Sequence, residues 1–493
     1  MIQRFTTFVV LLLSLTRMRT ESAASTRDEA FFGLTNLWTL HITVTPKAWK
    51  ELGGTELGPR GGGNRGGGGF FESLFGGPAR PSGVNVGPGG REYPWSTCTL
   101  EAAGMTLTNV GVRFKGHSSF VRAPNGFKRP FKLDFNRNAT NQRFLGLEEI
   151  TLNNNVNDAT QMREALAYQA FRQAGIPAPR TAFARVLLTI TGQFERRLLG
   201  LYTVIEPVNK EFLNRQLGSK SGLLLKPEMM PGLVYFGEDW DAYVERYGPK
   251  GKVAPGDTRR MVEFARFIQE SDPAEFSNRL GQFLEPTAFM RFVALNSILA
   301  NLDSFIGNGH NYYLYIDSTS RRAQFIPWDV NEAFGMHPVS GPSGEQMLFN
   351  VLRPNADPNR LVERVVTDPR LGALYRAQCA ALLTNVFEPR RIHQDIDRIA
   401  AVTWPVVEKE SRRARADFRR TVLETLAPNE GELDQPRHDR ELSQDGYQPW
   451  GFPDAVHIDN IPLKKWVTGR HANVKAQLDG QVRGKRPRAR VNN

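Results

Sequence analysis

The sequence has little cysteine and little histidine for its length of 493 residues. Cys98 and Cys379 are its two cysteines, which excludes a disulfide-stapled scaffold and a multi-cysteine zinc site. Its eight histidines include no pair with the His-x-x-x-His spacing of zincin metalloproteases. A Walker lysine motif is also missing, as are the basic and aromatic patterns of nucleic-acid modules. These absences disfavour zinc and P-loop chemistry, and no specific nucleic-acid partner is expected.

The composition is that of a large folded protein with an excess of basic residues. Hydrophobic residues make up 40% of the chain and aromatic residues 10%, which permits a substantial core and excludes full disorder. The length suggests two or three domains of roughly 100–200 residues each, or one large two-lobed unit. The net charge of +12 permits an anionic partner, which could be nucleic acid, phosphate, a polyanionic wall or an acidic protein. The net charge alone does not distinguish among these partners.

The N-terminus has the pattern of a targeting segment. Arg4 supplies a basic start, an apolar run follows from Phe5 to Leu15, and small residues stand at 22–24. This pattern predicts a secretory signal peptide over 1–25 and a secreted or extracytoplasmic, cell-surface protein, the alternative being an apolar core segment. The run is shorter than the about 20 apolar residues of a membrane helix, and no other segment is long and apolar enough. No membrane span is therefore expected after signal cleavage.

Two segments have compositions that favour solvent. Residues 53–90 contain 16 glycines in 38 positions, which predicts a flexible insertion because so little side chain can be buried. A phosphate-binding glycine loop is disfavoured there, since no Gly-Lys-Ser/Thr follows. The last residues, 481–493, carry clustered basic side chains and are predicted to be a solvated basic tail.

Hydrophobic periodicity predicts an α+β chain with a β-rich N-terminal half and a helix-rich C-terminal half. Strands are predicted at 37–44, at 129–135, as a pair at 105–110 and 112–115, as two joined near Gly192 at 182–191 and 198–205, and as a hairpin at 312–316 and 324–327. Helices are predicted at 159–175, 208–217, 259–270, 286–301, 361–388, 392–427 and 463–478.

The strongest candidate site is the polar loop at 301–313. It follows a predicted buried helix, precedes a strand and contains Asp303 and Asn308, five residues apart. Phosphoryl-transfer loops use an Asp to orient the attacking hydroxyl and an Asn amide oxygen to hold a metal ion. The alternative is an ordinary turn, in which Asp caps the chain and Asn adopts a turn conformation.

A second acid follows at the end of an apolar strand. Asp329 comes directly after 325–328 and lies 26 residues beyond Asp303, a separation that one hairpin can return to the same place. Protein kinases present their metal-binding Asp in this way, beyond a hairpin that follows the catalytic loop. Two carboxylates and an Asn amide suit Mg²⁺ or Mn²⁺ rather than zinc.

A phosphoryl-transfer site also needs a cationic side chain that binds the phosphates of the nucleotide. Lys132 lies on the polar side of the strand at 129–135, with Lys128, Arg113 and Lys115 as nearby alternatives. Glu164, in the first turns of the following helix, could orient that cation, as a strand Lys and a helix Glu pair in kinases. An ordinary solvated charge is the alternative for each.

Taken together, these segments resemble the spore-coat protein H (CotH) kinase family of secreted or coat-associated atypical protein kinases. The resemblance covers most of 36–480, and the matching segments are 111–119, 128–135, 162–180, 200–206, 301–315, 327–335 and 463–480.

The resemblance implies a two-lobed, divergent protein-kinase-like fold, with a β-rich N-terminal lobe at about 95–215 and a helical C-terminal lobe at about 216–480. It also implies ATP with Mg²⁺ (or Mn²⁺), and transfer to Ser/Thr of coat or extracytoplasmic proteins. Asp303 matches the catalytic Asp, Asp329 the metal-binding Asp, and Glu206 lies near the lobe connection, facing the nucleotide. Asn311 matches the loop Asn of the family better than Asn308, which spacing favours, so both stay candidates for the metal.

Two other functions remain alternatives. Asn331 stands where many relatives carry a second acid, so a non-catalytic coat, adhesion or scaffold protein with the same fold is the first alternative. The second is a basic surface-binding protein that acts through its net charge, for which salt-sensitive binding without nucleotide is the expected sign.

Overall fold

The structure is a computed structural model that describes 29–53, 85–86, 92–116, 118–121, 126–219, 221–230, 232–425 and 461–488. The predicted signal peptide lies outside these residues, as does the glycine-rich segment except for Gly53, Asn85 and Val86. Among the described residues, one compact unit contains those up to Asn154 together with Arg180–Pro207. The other contains Asn155–Pro179 and those from Val208 onward.

The first unit is built on a closed β-barrel. Its strands are β1 (Leu37–Val44), β4 (Ser96–Ala102), β5 (Met105–Phe114), β6 (Phe131–Asp134), β7 (Glu149–Asn153), β8 (Thr181–Ile190) and β9 (Phe194–Ile205). They follow the order β1-β4-β5-β6-β7-β9-β8, and the barrel closes through a parallel pairing of β1 with β8. β2 (Asn85–Val86) pairs with β3 (Glu92–Tyr93), and the short helices α1 (Pro46–Glu51) and α2 (Ser118–Val121) complete the unit.

Alternation of apolar side chains explains why the barrel closes on a core. In β6, Phe131 and Leu133 are fully buried, while the alternate residues Lys132 and Asp134 are half-buried. Period-two alternation of this kind places one face of a strand inside and the other outside. Aromatic rings from several strands fill the interior, among them Phe114, which contacts Phe131 at 5.3 Å between ring centroids.

The second unit combines one small sheet with most of the helices. The sheet has the order β11-β10-β12-β13 and contains β10 (Gly222–Leu225), β11 (Pro249–Lys250), β12 (Tyr312–Asp317) and β13 (Ala323–Pro327). The α-helices described in this unit are α3 (Arg163–Gln173), α4 (Lys210–Leu217), α5 (Asp241–Tyr247), α6 (Pro255–Glu270), α7 (Pro273–Arg279), α8 (Pro286–Ile298), α9 (Ser343–Gln346), α10 (Arg360–Thr367), α11 (Pro369–Asn385), α12 (Pro389–Glu410), α13 (Arg412–Phe418) and α14 (Leu463–Leu478). Short 3₁₀ turns at Leu280–Gln282 and Pro338–Ser340 and a π turn at Arg419–Leu423 connect them.

The α+β class, the strand at Leu37–Val44, the hairpins β8–β9 and β12–β13 and the helix at Leu463–Leu478 agree with the sequence predictions. The predicted pair at 105–110 and 112–115 is wrong, because these residues form the single strand β5. Gly111 marks a close approach there rather than a turn, since a Cβ at this position would lie 2.8 Å from the Arg137 side chain. The helices predicted at 361–388 and 392–427 are each divided, at Asp368 and at Ser411, both of which cap the helix that follows.

The predicted solvated tail differs from the structure at Lys485. Its backbone N–H donates to Leu348 O at 2.8 Å, and its carbonyl accepts from Asn350 N at 2.7 Å, which makes a parallel β-bridge at Phe349. The Lys485 ammonium also pairs with Glu345 at 3.1 Å. Backbone hydrogen bonds to the segment around Phe349 therefore hold this part of the tail. Such pairing is open to any extended segment whose N–H and C=O groups meet an unpaired backbone edge.

Two further features are the hydropathy of the helices and the state of the cysteines. None of the helices in the described part of the chain is long and apolar enough to cross a membrane. Cys98 and Cys379 are both free and buried, and burial raises the pKa of each thiol to about 12. Both thiols therefore stay protonated at neutral pH.

Candidate active site

The loop that carries Asp303 is fixed by the helix before it and by a close backbone contact within it. Helix α8 is buried around most of its circumference and ends at Ile298, with Leu299 as its C-cap. Gly307 folds back so tightly that a Cβ there would lie 1.7 Å from the Leu302 carbonyl oxygen. Glycine is required at such a contact because every other residue carries a Cβ. The loop is therefore held in one shape around Asp303.

The Asp303 carboxylate is clamped by two amides. Asn308 Nδ2 donates to Asp303 Oδ1 at 2.6 Å, and Asn311 Nδ2 donates to Asp303 Oδ2 at 2.6 Å. Both asparagines named by the sequence analysis thus reach the same side chain. Asn308 Oδ1 is buried and has no hydrogen-bond partner among the described residues. An unpaired buried acceptor is costly, so this oxygen is suited to bind a cation.

Asp329 lies just beyond β13 and is tied to helix α3. Its backbone has a φ of +47°, and its N–H donates to the Tyr168 hydroxyl at 2.9 Å. Burial raises the pKa of Tyr168 well above its usual value, and the nearby carboxylates of Glu164 and Asp329 raise it further. The neutral Tyr168 phenol is therefore the species that holds the Asp329 backbone. Trp328 N also donates to Asn311 O at 3.1 Å, which joins the Asp329 segment to the Asp303 loop.

Two residues that the sequence analysis missed lie beside Asp303. Ligand atoms of Asp303, Glu332 and His337 all lie within 4.8 Å of one another. A turn closed by Met336 N donating to Glu332 O at 3.2 Å brings the glutamate close to His337. The spacing of Glu332 and His337 in the sequence matches no known metal-binding motif. The one signal for them in the sequence was the presence of an acid and a histidine soon after Asp329.

A third missed group is an ion-pair chain at the end of β10. Lys226 Nζ lies 3.1 Å from Glu228 Oε1, and His310 Nδ1 lies 2.8 Å from Glu228 Oε2. Burial alone lowers the pKa of His310, but the Glu228 carboxylate outweighs it and raises the pKa to about 9. Burial likewise opposes the charged form of Glu228, yet His310 and Lys226 hold its pKa well below the usual value. His310 is thus a charged residue within the Asp303 loop at neutral pH.

Replacing His310 with glutamine is expected to flatten the loss of stability at alkaline pH. The pKa of folded His310, about 9, exceeds the unfolded value of about 6.5, so its contribution is fully present below about pH 6.5 and lost as the pH rises through about 9. The Glu228 side chain is 42% exposed, and solvent screening keeps the expected effect to about 1 kcal/mol or less. Thermal melting of both proteins at about pH 6 and about pH 10 measures it. An equal fall in Tm for the two proteins would contradict this assignment.

Of the remaining predicted residues, Lys128, Lys132 and Glu206 belong to the first unit and Glu164 belongs to the second. Sequence reasoning pairs Lys132 with Glu164, but the structure pairs Lys132 Nζ with Glu149 Oε2 at 2.6 Å. The register of β6 and β7 explains the difference, because it makes these two residues diagonal neighbours on one face of the barrel.

Lys128 and Glu206 are both buried in the same unit. The Lys128 ammonium lies 5.7 Å from the centre of the Tyr202 ring. Glu206 accepts from Arg180, at 3.1 Å from its backbone N–H and at 2.8 Å from its guanidinium. Glu164 is buried in the first turn of α3, in the second unit. The structure thus brings Asp303, Asn308, Asn311, Asp329 and Glu164 into one unit, and Lys128, Lys132 and Glu206 into the other.

Fold and site together define an α+β protein with a loop site rich in carboxylates and amides. The family model described as "CotH kinase protein" matches residues 112–426, which is more than half of the chain. The protein therefore belongs to the CotH kinase family.

Two known proteins are similar to this chain at low identity. The inner spore coat protein H of Bacillus subtilis (strain 168) is 22% identical over 276 residues, which cover 53% of this chain and 68% of that protein. The solved structure of the Helicobacter pylori proinflammatory kinase CtkA is matched over 69% of this chain and 95% of that chain, with 12% identity. Its TM-score of 0.24 is too low to carry an argument about the fold.

Proposed function

We propose that the protein is an ATP-dependent protein kinase that transfers the γ-phosphoryl group to Ser or Thr hydroxyls of extracytoplasmic or coat proteins. The observation that carries the proposal is the Asp303 carboxylate, held by Asn308 and Asn311 in a rigid loop of the same unit as Asp329. Membership of the CotH kinase family supports the same reaction class. The fold that we propose is a divergent two-lobed kinase fold.

Asp303 is suited to orient the attacking hydroxyl. Each of its oxygens accepts one amide N–H, and a carboxylate oxygen has capacity for a further hydrogen bond. The two amides keep the carboxylate in one rotamer, so a substrate hydroxyl that donates to it is fixed in direction. Positioning of this kind accounts for much of the catalysis in phosphoryl transfer.

The residues present fit a nucleotide-bound Mg²⁺ ion. Asp329 offers a hard carboxylate, and the unpartnered Oδ1 of Asn308 offers the amide oxygen that such a site uses. Asn311, whose amide also contacts Asp303, remains the other candidate. The ion, when bound, supplies charge neutralisation across the phosphates.

The phosphate-binding lysine is better assigned to Lys128 than to Lys132. Lys132 is occupied by its ion pair with Glu149 on the neighbouring strand, at 2.6 Å between Nζ and Oε2. Lys128 is buried, and the Tyr202 ring 5.7 Å from its ammonium helps to keep a cation in the interior of this unit. We propose Lys128 as the residue that binds the phosphates and Glu206 as a residue that faces the nucleotide.

The location that we propose is extracytoplasmic. It rests on the signal-like segment at 1–25 and on the relative named inner spore coat protein H. The substrates that we propose are therefore coat or extracytoplasmic proteins rather than soluble metabolites.

A transfer assay tests the function. The purified protein is incubated with radiolabelled ATP and Mg²⁺ or Mn²⁺, and label is followed in the protein itself and in dephosphorylated casein. We expect phosphoserine or phosphothreonine to form, and we expect Asp303→Asn to slow the transfer by about 10²–10⁴-fold while nucleotide binding persists. Asp317→Asn, at the far end of β12, is the control and should keep the wild-type rate.

Undiminished transfer by Asp303→Asn would remove this residue from the mechanism. If the wild-type protein neither transfers phosphate nor shows a thermal shift with ATP, the non-catalytic scaffold becomes the better interpretation.

A further inference from the structure

A compact group of three metal-ligating side chains lies beside the proposed catalytic loop. The ligand atoms of Asp303, Glu332 and His337 are mutually within 4.8 Å. His337 is 4% exposed and Glu332 18% exposed, so the group is largely shielded from water. Two carboxylates at this separation repel each other unless a positive charge lies between them.

The His337 ring is held with one nitrogen facing the carboxylates. Ser340 Oγ lies 2.6 Å from Nδ1, while Nε2 lies 3.8 Å from Glu332 Oε2. When Nδ1 carries the proton, its N–H donates a hydrogen bond to Ser340 Oγ. The lone pair of Nε2 then faces the two carboxylates. This is the usual arrangement of a metal-binding histidine, whose second nitrogen is bound by a neighbouring polar group.

The backbone around His337 is equally constrained. Its carbonyl accepts from Ser340 N at 3.1 Å and from Gln346 Nε2 at 2.8 Å. A ligand held by both its backbone and its ring loses little conformational freedom when a cation binds.

Asp303 retains capacity for a cation. Asn308 and Asn311 occupy one acceptor position on each oxygen and leave further lone pairs free.

We propose that Asp303, Glu332 and His337 form a binding site for a first-row divalent cation such as Mn²⁺, distinct from the Mg²⁺ that accompanies the nucleotide. The imidazole is the reason for this choice. Mg²⁺ prefers oxygen ligands in octahedral geometry, whereas a donor set of two carboxylates and one imidazole suits the transition metals. The site rests on the geometry of these three side chains and needs neither nucleotide nor catalysis.

The test uses Mn²⁺ as the probe and the full protein without nucleotide. After treatment with a chelator, the protein is titrated with Mn²⁺, and the free ion is followed by its electron paramagnetic resonance signal. We expect one Mn²⁺ per chain and a nitrogen coupling from the imidazole in pulsed spectra. Glu332→Gln and His337→Gln should each weaken binding by about tenfold or more, and His337→Gln should remove the coupling.

Two controls separate this site from its neighbours. Glu345→Gln alters an exposed acid on the next short helix, α9, and should leave Mn²⁺ affinity unchanged. Asp329→Asn should also leave nucleotide-free Mn²⁺ binding unchanged, because Asp329 is assigned to the nucleotide-bound metal. If Asp329→Asn abolishes nucleotide-free binding, the sites are not distinct and the proposal fails.

Binding without a nitrogen coupling would overturn the role of His337, and absence of binding would show that His337 and Glu332 are only an ion pair. Should His337→Gln unfold the protein, Ser340→Ala provides the same test, since it frees the ring and should weaken binding by about 10–100-fold. A protein that binds Mn²⁺ in this way but transfers no phosphate would contradict the proposed function alone.

Discussion

Replacing Asp329 with asparagine is expected to reduce phosphate transfer by about a thousandfold or more, because the metal loses its only carboxylate from this strand end. Asparagine has nearly the same shape, and it is among the residues that most readily adopt a positive φ, here +47°. The fold should therefore be retained. The assay is transfer from radiolabelled ATP, read beside nucleotide-dependent thermal shifts with and without Mg²⁺.

The asparagine variants of Asp303 and Asp329 should lose phosphate transfer for different reasons. Asp329→Asn should lose the Mg²⁺-dependent part of nucleotide binding, while Asp303→Asn should keep it and lose the chemical step. If Asp329→Asn bound Mg²⁺–ATP as the wild-type protein does, its assignment to the metal would be wrong.

A pair of tyrosines tests how Asp329 is held. Tyr168→Phe removes the hydroxyl that accepts the Asp329 N–H, and the unsatisfied donor should lower both stability and transfer. Tyr312→Phe is the matched control. Its hydroxyl is buried without a hydrogen-bond partner among the described residues, so its removal should cost little.

Replacing Arg470 with methionine is expected to lower the free energy of unfolding by about 2–5 kcal/mol. Arg470 is fully buried on α14, and its guanidinium donates to four backbone carbonyls, those of Ser297, Ile298, Met347 and Phe349. Two of these oxygens lie in the last turn of α8, where helix carbonyls have few partners. Ser297 O keeps a bond from Ala300 N at 3.0 Å, and Phe349 O keeps one from Gln477 Nε2 at 3.1 Å. The substitution therefore removes one donor from each of these two oxygens and takes the Arg470 bonds away from Ile298 O and Met347 O.

Urea unfolding of the wild-type and variant proteins measures this loss. The control is Arg376→Met, which removes one exposed bond to Leu478 O at 2.8 Å and should cost about 1 kcal/mol or less. Because α8 leads into the Asp303 loop, we also expect the Arg470 variant to lose activity at temperatures where it is still folded. Equal losses in the two variants would mean that the α8 carbonyls do not depend on Arg470.

Local patterns predicted those parts of the structure that neighbours in sequence determine. Alternating apolar residues predicted β1, and two short apolar runs predicted the hairpin β12–β13. That hairpin lies between Asp303 and Asp329 in the sequence. Gly111 misled the strand prediction because glycine also serves close packing. The roles of Glu149 and Glu332 did not follow from spacing along the chain, since strand register sets the partner of Glu149 and a turn sets the neighbours of Glu332.

The helix that braces the site comes after the matched family region. Trp466 of α14 lies 2.6 Å from where a Cβ of Gly335 would stand, and its Nε1 donates to Ser343 O at 3.2 Å. Gly335 closes the segment that begins at Asp329, whereas the family match ends at residue 426. A protein cut back to the matched region would lose both this indole and Arg470. The smallest autonomous folding unit that includes the site is therefore larger than the region by which relatives are recognised.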